Sequence, residues 1–360
     1  MKIATATARP MRLQFARPMR TAFGEFRARE VVLFELCDPD GLSGWGEAAP
    51  WPGFVTETPA ESLATLLEVA GRFVGAHVDP DEPRDTWTAL RDRPAARAAI
   101  EGAMQDLAAR CDGRALRDRY ALHVQAFAAG PALSRVPVSA LLVGESPEPI
   151  SAGAARIRDS GFRAAKLKLG GAPLATDLAR LRAAREVLGP GFALRGDANG
   201  GWSVDEALVA LAACAEFGLE YVEQPVRAGD LHGLRQLRGR TPVRIAADES
   251  VATDELALQL IDEAVVDVIV LKPAMLGGSL RALGLAARAR RAGIGVVFTH
   301  AFESAVGARH ALHCAAAWGD SERAHGLVTD GLFEQDVAEP VAADAGYAAI
   351  EHRPGLGIAL

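Results

Sequence analysis

Residues 164–170 read A-A-K-L-K-L-G, and residues 193–199 read A-L-R-G-D-A-N. Each is a short apolar run that ends on charge. The plan recurs at Y-V-E-Q-P (221–225), I-A-A-D-E-S (245–250) and V-I-V-L-K-P (268–273). From Lys166 to Asp197 is 31 residues, then 26 to Glu223, 25 to Asp248 and 24 to Lys272. That interval holds one strand, one helix and two loops, which predicts an α/β fold, a (β/α)8 TIM-like barrel. Parallel strands bring their C-terminal ends to one mouth, where the catalytic groups of such barrels sit. Three carboxylates and three lysines are therefore expected there.

Working outward, P-V-S-A-L-L-V-G (137–144) is the expected first barrel strand, G-V-V-F-T-H (295–300) the seventh and H-G-L-V-T (325–329) the eighth. Ala/Leu/Arg-rich segments between them carry helical periodicity. Upstream, V-V-L-F-E-L (31–36) and G-W-G-E-A-A-P (44–50), separated by a turn at Asp38–Gly41, predict an antiparallel sheet. Apolar residues at helical spacing over 58–74 and 94–110 complete an α+β unit. The expected organisation is an α+β capping domain at 1–130, the barrel at 131–334 and a C-terminal segment at 335–360 that returns to the capping domain.

Composition narrows the function. With 49% hydrophobic residues the chain has material for a large core, and its net charge of -7 has no basic stripe beside it, which excludes a nucleic-acid footprint. Cys37, Cys111, Cys214 and Cys314 form no C-x-x-C pair and read as reduced structural thiols. No run of about 18 apolar residues suggests a membrane span, and the N-terminus lacks a long apolar signal core. The cytoplasm is the expected compartment, a small-molecule carboxylate the expected partner, and a homo-oligomer is compatible with the chain.

Asp197, Glu223 and Asp248 at consecutive strand ends would repel one another in a partly desolvated mouth unless a cation joined them. An all-oxygen set with room for substrate favours Mg2+, with Mn2+ able to stand in. Lys166 and Lys168 lie two apart on one strand, so both face the mouth about 7 Å apart. Like charge and burial favour a free amine on at least one of them. A metal beside amines on both sides suits removal of a proton next to a carboxylate, the cation stabilising the enediolate while a lysine takes the proton.

K-L-K at 166–168, D-A-N at 197–199, E-Q-P at 223–225, D-E-S at 248–250 and K-P at 272–273 resemble, in order and spacing, the enolase superfamily, in the subgroup of muconate-lactonizing enzymes. The resemblance spans nearly the whole chain. It implies metal ligation by Asp197, Glu223 and Asp248, proton transfer by Lys168, and stabilisation of the enediolate by Lys166 and Lys272. It also implies a capping domain whose loops select the substrate.

Members of the subgroup perform cycloisomerisation, racemisation, dipeptide epimerisation or dehydration. Here residues 44–58, 194–202, 271–280 and 302–307 resemble the subgroup's aromatising dehydratases. Where dipeptide epimerases carry D-x-D to hold an ammonium, this chain has Val328, Thr329 and Asp330. Dehydration is thus the first expectation and racemisation or epimerisation the alternative. Substrate contacts are expected from Asn199, Arg195, Thr299, Ala301 and Phe54. Trp45 and Trp51 either cover a ring substrate or seal the domain interface. His300 reads as a pocket or loop residue, because the partner that a histidine base would need is replaced by Lys272. A silent scaffold barrel would be expected to lose parts of this set, and none is missing.

Overall fold

The structure, a computed structural model, describes residues 1–21, 24–81 and 90–360. Three antiparallel strands, β1 (Thr5–Thr21), β2 (Gly24–Cys37) and β3 (Ser43–Ala48), form the N-terminal sheet in that order. The run V-V-L-F-E-L is apolar throughout because both its faces are covered. Val32, Phe34 and Leu36 pack on helices Pro59–Phe73 and Pro94–Cys111, whereas Val31 and Leu33 belong to clusters shared with the barrel. Thr58 starts the first helix in a reciprocal cap: its Oγ1 accepts from Glu61 N at 3.2 Å, and Glu61 Oε2 accepts from Thr58 N at 2.9 Å. The glycines of G-W-G let β3 lie directly on helix Pro94–Cys111, since a Cβ on Gly44 or Gly46 would collide with the carbonyls of Ala103 and Ala99.

Seven parallel strands follow: β5 (Ala140–Leu142), β6 (Ala164–Lys168), β7 (Ala193–Asp197), β8 (Val222–Glu223), β9 (Ile245–Ala247), β10 (Val268–Leu271) and β11 (Gly295–Phe298), in sheet order 5-6-7-8-9-10-11. The expected eighth strand is reduced to two residues that close the ring. Gly326 N donates to Phe298 O at 3.0 Å and His325 N to Pro137 O at 2.8 Å. Beyond Leu327 the chain turns away because Thr329 pairs with Val341 instead, through N–H to carbonyl at 2.9 Å and Val341 N to Thr329 Oγ1 at 3.0 Å. The expected first strand is also shorter than 137–144. Its start, β4 (Arg135–Pro137), pairs antiparallel with β12 (Tyr347–Ala349) outside the barrel. Further on, Leu356 N donates to Asp106 Oδ1 at 2.7 Å and Arg110 Nη2 to Ile358 O at 3.0 Å, tying the C-terminal segment to helix Pro94–Cys111.

Two carboxylates from the N-terminal unit cap barrel helices. Glu101 Oε1 accepts from Leu280 N at 3.0 Å at the start of helix Ser279–Arg291. Glu47 accepts from Ser304 N at 2.9 Å and Gly307 N at 2.8 Å at the start of helix Ala305–Trp318. Helix N-termini favour negative charge, yet burial dominates and pushes both carboxyls up to about 7.

His325 locks the ring closure. Its buried Nδ1 accepts from Phe298 N at 3.0 Å, so the proton sits on Nε2 and charging the ring would break the bond. Burial pushes its pKa down to about 3, with the Arg195 and Arg323 charges adding to the shift. Because the folded value lies below the unfolded value of about 6.5, this histidine's contribution is full above pH 6.5 and is lost as pH falls toward 3. His325→Asn, which keeps an acceptor but cannot take up a proton, should be less stable than wild type at pH 8. The gap should narrow by about 1.4 kcal/mol per pH unit below 6.5, read from denaturant midpoints. A gap independent of pH would refute the assignment.

Candidate active site

The inward positions of β6 carry Lys166 and Lys168, in register with Arg195 and Asp197 of β7, and Asp197 is in turn in register with Glu223 of β8. Lys166 Nζ donates to Glu223 Oε1 at 2.8 Å and lies 3.0 Å from Asp197 Oδ2. Lys168 Nζ donates to Asp197 Oδ2 at 2.7 Å and to Asn199 Oδ1 at 2.6 Å. Across the ring Lys272, which directly follows β10, pairs with Asp248, and its Nζ stands 4.2 Å from the centre of the Phe54 ring. β6 and β10 are four strands apart in a closed eight-membered ring, so their lysines face each other.

Backbone bracing fixes the carboxylates. Gln224 Oε1 accepts from Asp248 N at 3.0 Å and Ser250 N at 3.1 Å, while its Nε2 donates to Val226 O and Ser250 Oγ, each at 2.8 Å. The glutamine of E-Q-P thereby holds the D-E-S turn in place.

The charges are strongly coupled. Burial disfavours the Lys166 ammonium, but Asp197, Glu223 and Asp248 outweigh burial and hold its pKa well above the ordinary value. Like charge between the two lysines therefore does not free an amine on Lys166. It is a fixed cation. Asp197 is also buried, yet Lys166 and Lys168 keep it ionised far into acid. Glu223 goes the other way. Burial first, then the Asp197 charge, pushes it up to about 7 against the pull of Lys166. Asp248 is likewise raised by burial, with Lys272 opposing and the Glu249 charge adding.

That excess of buried negative charge on hard oxygen donors suits a small divalent cation. Among the described residues no three carboxylate, imidazole or thiolate groups stand within common ligating distance; Lys166 pairs with Asp197 and Glu223, and Lys272 with Asp248. The donor chemistry of Asp197, Glu223 and Asp248 suits such a cation, which these three residues would hold.

Lys166, Lys168, Lys272, Asp197, Glu223, Asp248, Asn199 and Phe54 thus come together. Three expected substrate contacts do not. Arg195 points to the opposite end of the barrel, where its Nε donates to Glu220 Oε2 at 2.7 Å and its Nη1 to Ala324 O at 2.9 Å. Thr299 donates its hydroxyl to Gly326 O at 2.7 Å and serves ring closure. Ala301 is buried in the cluster of Trp51, Met275 and Phe333 between sheet and barrel. Trp51 and Trp45 are also buried, Trp51 against Phe26, Phe302 and the Arg29 guanidinium, so both seal the interface. His300 accepts from Phe302 N on Nδ1 at 3.1 Å and donates from Nε2 to Val328 O at 3.3 Å. Burial lowers its pKa to about 4 and keeps the ring neutral, with both nitrogens engaged by the backbone.

Leu141 and Val143 escaped the sequence reading. Leu141 is in register with Lys166, so both lie on the inner face, and Val143 follows two residues on. At 54% and 72% exposed they give the mouth an apolar wall. Their signal was the period-two pattern of L-L-V after Ala140, with two apolar residues on the lysine face.

Helix-wrapped parallel strands, a sheet-and-helix cap and opposed lysines around buried carboxylates are the features of one class of barrel enzyme. The chain belongs to the enolase superfamily. Residues 150–360 match its family described as enolase C-terminal domain-like, and residues 3–118 match the mandelate racemase / muconate lactonizing enzyme N-terminal domain. The o-succinylbenzoate synthase of Mycolicibacterium smegmatis is 36% identical over 339 residues, 93% of this chain and 84% of that protein. Among solved structures, a dipeptide epimerase from Enterococcus faecalis complexed with Mg and the dipeptide L-Leu-L-Tyr superposes with a TM-score of 0.88 at 28% identity, covering 100% of both chains. A muconate lactonizing enzyme from Pseudomonas fluorescens complexed with muconolactone gives 0.87 at 26% identity, covering 100% of this chain and 96% of that one.

Proposed function

We propose that the protein is an o-succinylbenzoate synthase, a carbon–oxygen lyase that carries out a Mg2+-dependent syn dehydration of 2-succinyl-6-hydroxy-2,4-cyclohexadiene-1-carboxylate in menaquinone synthesis. The observation that carries this reading is the placement of Lys168, tethered to Asp197 and Asn199 and open to solvent, on one side of the mouth with Lys272 opposite. A divalent cation held by Asp197, Glu223 and Asp248 would supply Lewis-acid charge to the substrate carboxylate. Lys168 as free amine takes the proton from C1, and the C1 electron pair passes into the carboxylate to give the enediolate. Lys166 and Lys272 offset its charge from two sides. The electrons then return, the C1–C6 double bond forms, and the C6–O bond breaks. Lys168 gives its proton to the departing hydroxyl, so water leaves and the amine is restored. One base on one face accounts for the syn course. The wall of Leu141 and Val143 and the ring of Phe54 offer apolar faces for the cyclohexadiene.

Racemisation of N-succinylamino acids or epimerisation of dipeptides is the second reading, favoured by the same opposed lysines, which reach both faces of an α carbon. Val328 at the first position of the D-x-D site argues against a substrate ammonium. The test is turnover of the purified protein on the cyclohexadiene acid against a panel of N-succinylamino acids and dipeptides. Dehydration absent with racemisation present would replace the first reading by the second.

The metal set has its own test. Asp248→Asn should weaken Mg2+ binding by about tenfold or more in calorimetry, since even indirect partners of a metal site cost 10–100-fold. The protein should stay folded, because the residue stands at the barrel mouth and the asparagine oxygen can still accept from Lys272. Unchanged Mg2+ affinity would remove Asp248 from the set.

A further inference from the structure

Glu249 has no part in the assignments above, yet it is buried beside them. Its Oε1 accepts from Asn199 Nδ2 at 2.8 Å, and among the described residues its buried Oε2 has no hydrogen-bond partner. Asn199 stands in the left-handed region at φ 44°, its backbone N donating to Asp197 Oδ1 at 3.1 Å, and it presents Oδ1 to Lys168 Nζ. An asparagine amide has one accepting and one donating end, and an ammonium only donates. Whichever end faces Glu249 therefore decides what faces Lys168. A carboxylate accepts only, so Glu249 must receive the NH2, and the carbonyl is left for the lysine.

We propose that Glu249 is a positioning residue that sets the orientation of the Asn199 amide and so holds Lys168 in its reactive pose. The lysine side chain is 51% exposed and, among the described residues, has only Asp197 Oδ2 as a second anchor. Without the fixed carbonyl, the amide is free to turn its NH2 toward the ammonium, and the lysine swings away. This rests on the reading of Lys168 as the base and adds how that base is held.

The test is a charge-conserving swap. Glu249→Gln makes either amide orientation acceptable and should lower kcat by about 10- to 100-fold, the usual cost of losing an orienting partner, with KM little changed. In the double variant Asn199→Asp, Glu249→Gln, the carboxylate at 199 accepts from Lys168 and the glutamine NH2 donates to it. That variant should recover about tenfold or more over the single one. A purely structural role for Glu249 gives no such rescue. Acylation of Lys168 by acetic anhydride, read by peptide mass spectrometry, needs no substrate. It should rise about threefold or more in Glu249→Gln and fall back in the double variant, as hydrogen bonding to the amine is lost and restored. Mg2+ affinity of Glu249→Gln should stay within about threefold of wild type, whereas a tenfold loss would make Glu249 a metal ligand instead. If Glu249→Gln does not fold, Asn199→Gly, which tolerates the positive φ, should show the same loss of kcat and the same gain in acylation. Wild-type acylation in the single variants, or a swap no better than Glu249→Gln, overturns the proposal. Failure of the wild-type protein to dehydrate the cyclohexadiene acid strikes the proposed function alone, because the acylation arm is independent of it.

Discussion

Lys168→Ala is expected to lose dehydration by about 10³-fold or more while the protein stays folded and continues to bind Mg2+. General acid–base groups contribute typically ~10²- to 10⁴-fold each, and here one amine has both duties, taking the C1 proton and returning it to the hydroxyl. A 10³-fold loss corresponds to about 4 kcal/mol of barrier. The fold should survive because Lys168 is half-exposed at the end of β6, in contrast to the buried Leu167 beside it. Metal affinity should survive because Lys168 contacts only one of the three carboxylates, Asp197, which keeps its bond to Lys166. Single-turnover assays with Mg2+ calorimetry on the same sample separate the two effects. Activity within tenfold of wild type would place the base elsewhere.

Much of the site was legible because strand-end residues of a parallel barrel obey a strict geometry. K-x-K fixes two side chains on one face, and repetition at 24–31 residues puts D, E, D and K on the same rim. Arg195 shows the limit of that logic. It shares the inner face with Asp197, but it is one pleat lower, and a long side chain there reaches Glu220 at the far end of the ring rather than the mouth. Parity along a strand gives the face and not the direction in which a flexible side chain leans. Thr299 and Ala301 misled for another reason. Their neighbours, Gly326 and the Trp51 cluster, come from distant parts of the chain, and no local pattern announces such contacts. The eighth strand failed similarly. H-G-L-V-T has strand-like composition, yet competition from Val341 for the Thr329 backbone shortens it to a two-residue bridge. Gln224 and Glu249 lie within the E-Q-P and D-E-S motifs, but no local pattern announces that Gln224 braces the D-E-S turn or that Glu249 accepts from the Asn199 amide.

Lys272→Arg separates the two readings of the site most sharply. Lys272→Ala should cost dehydration about 10²- to 10³-fold, the range for removing one donor from a developing oxyanion, and racemisation about 10³-fold or more, and so separates them poorly. The arginine variant keeps a cation opposite Lys168, against Asp248 and under Phe54, but guanidinium does not release a proton at accessible pH. In the dehydration proposed here the residue at 272 only offsets charge, so Lys272→Arg should retain dehydration to within about 10²-fold of wild type, the loss coming from a planar head group that fits the Asp248 contact less well. In racemisation the same residue must donate or accept the proton on the second face, and the variant should lose about 10³-fold or more. Solvent deuterium exchange at the α carbon of each N-succinylamino acid enantiomer gives the readout. The enantiomer whose proton faces Lys168 should still exchange, and the other should not. Exchange from both would mean that Lys272 is not the second-face base. Dehydration lost as completely as racemisation, in a variant of unchanged stability and Mg2+ affinity, would mean that Lys272 moves a proton in the dehydration as well.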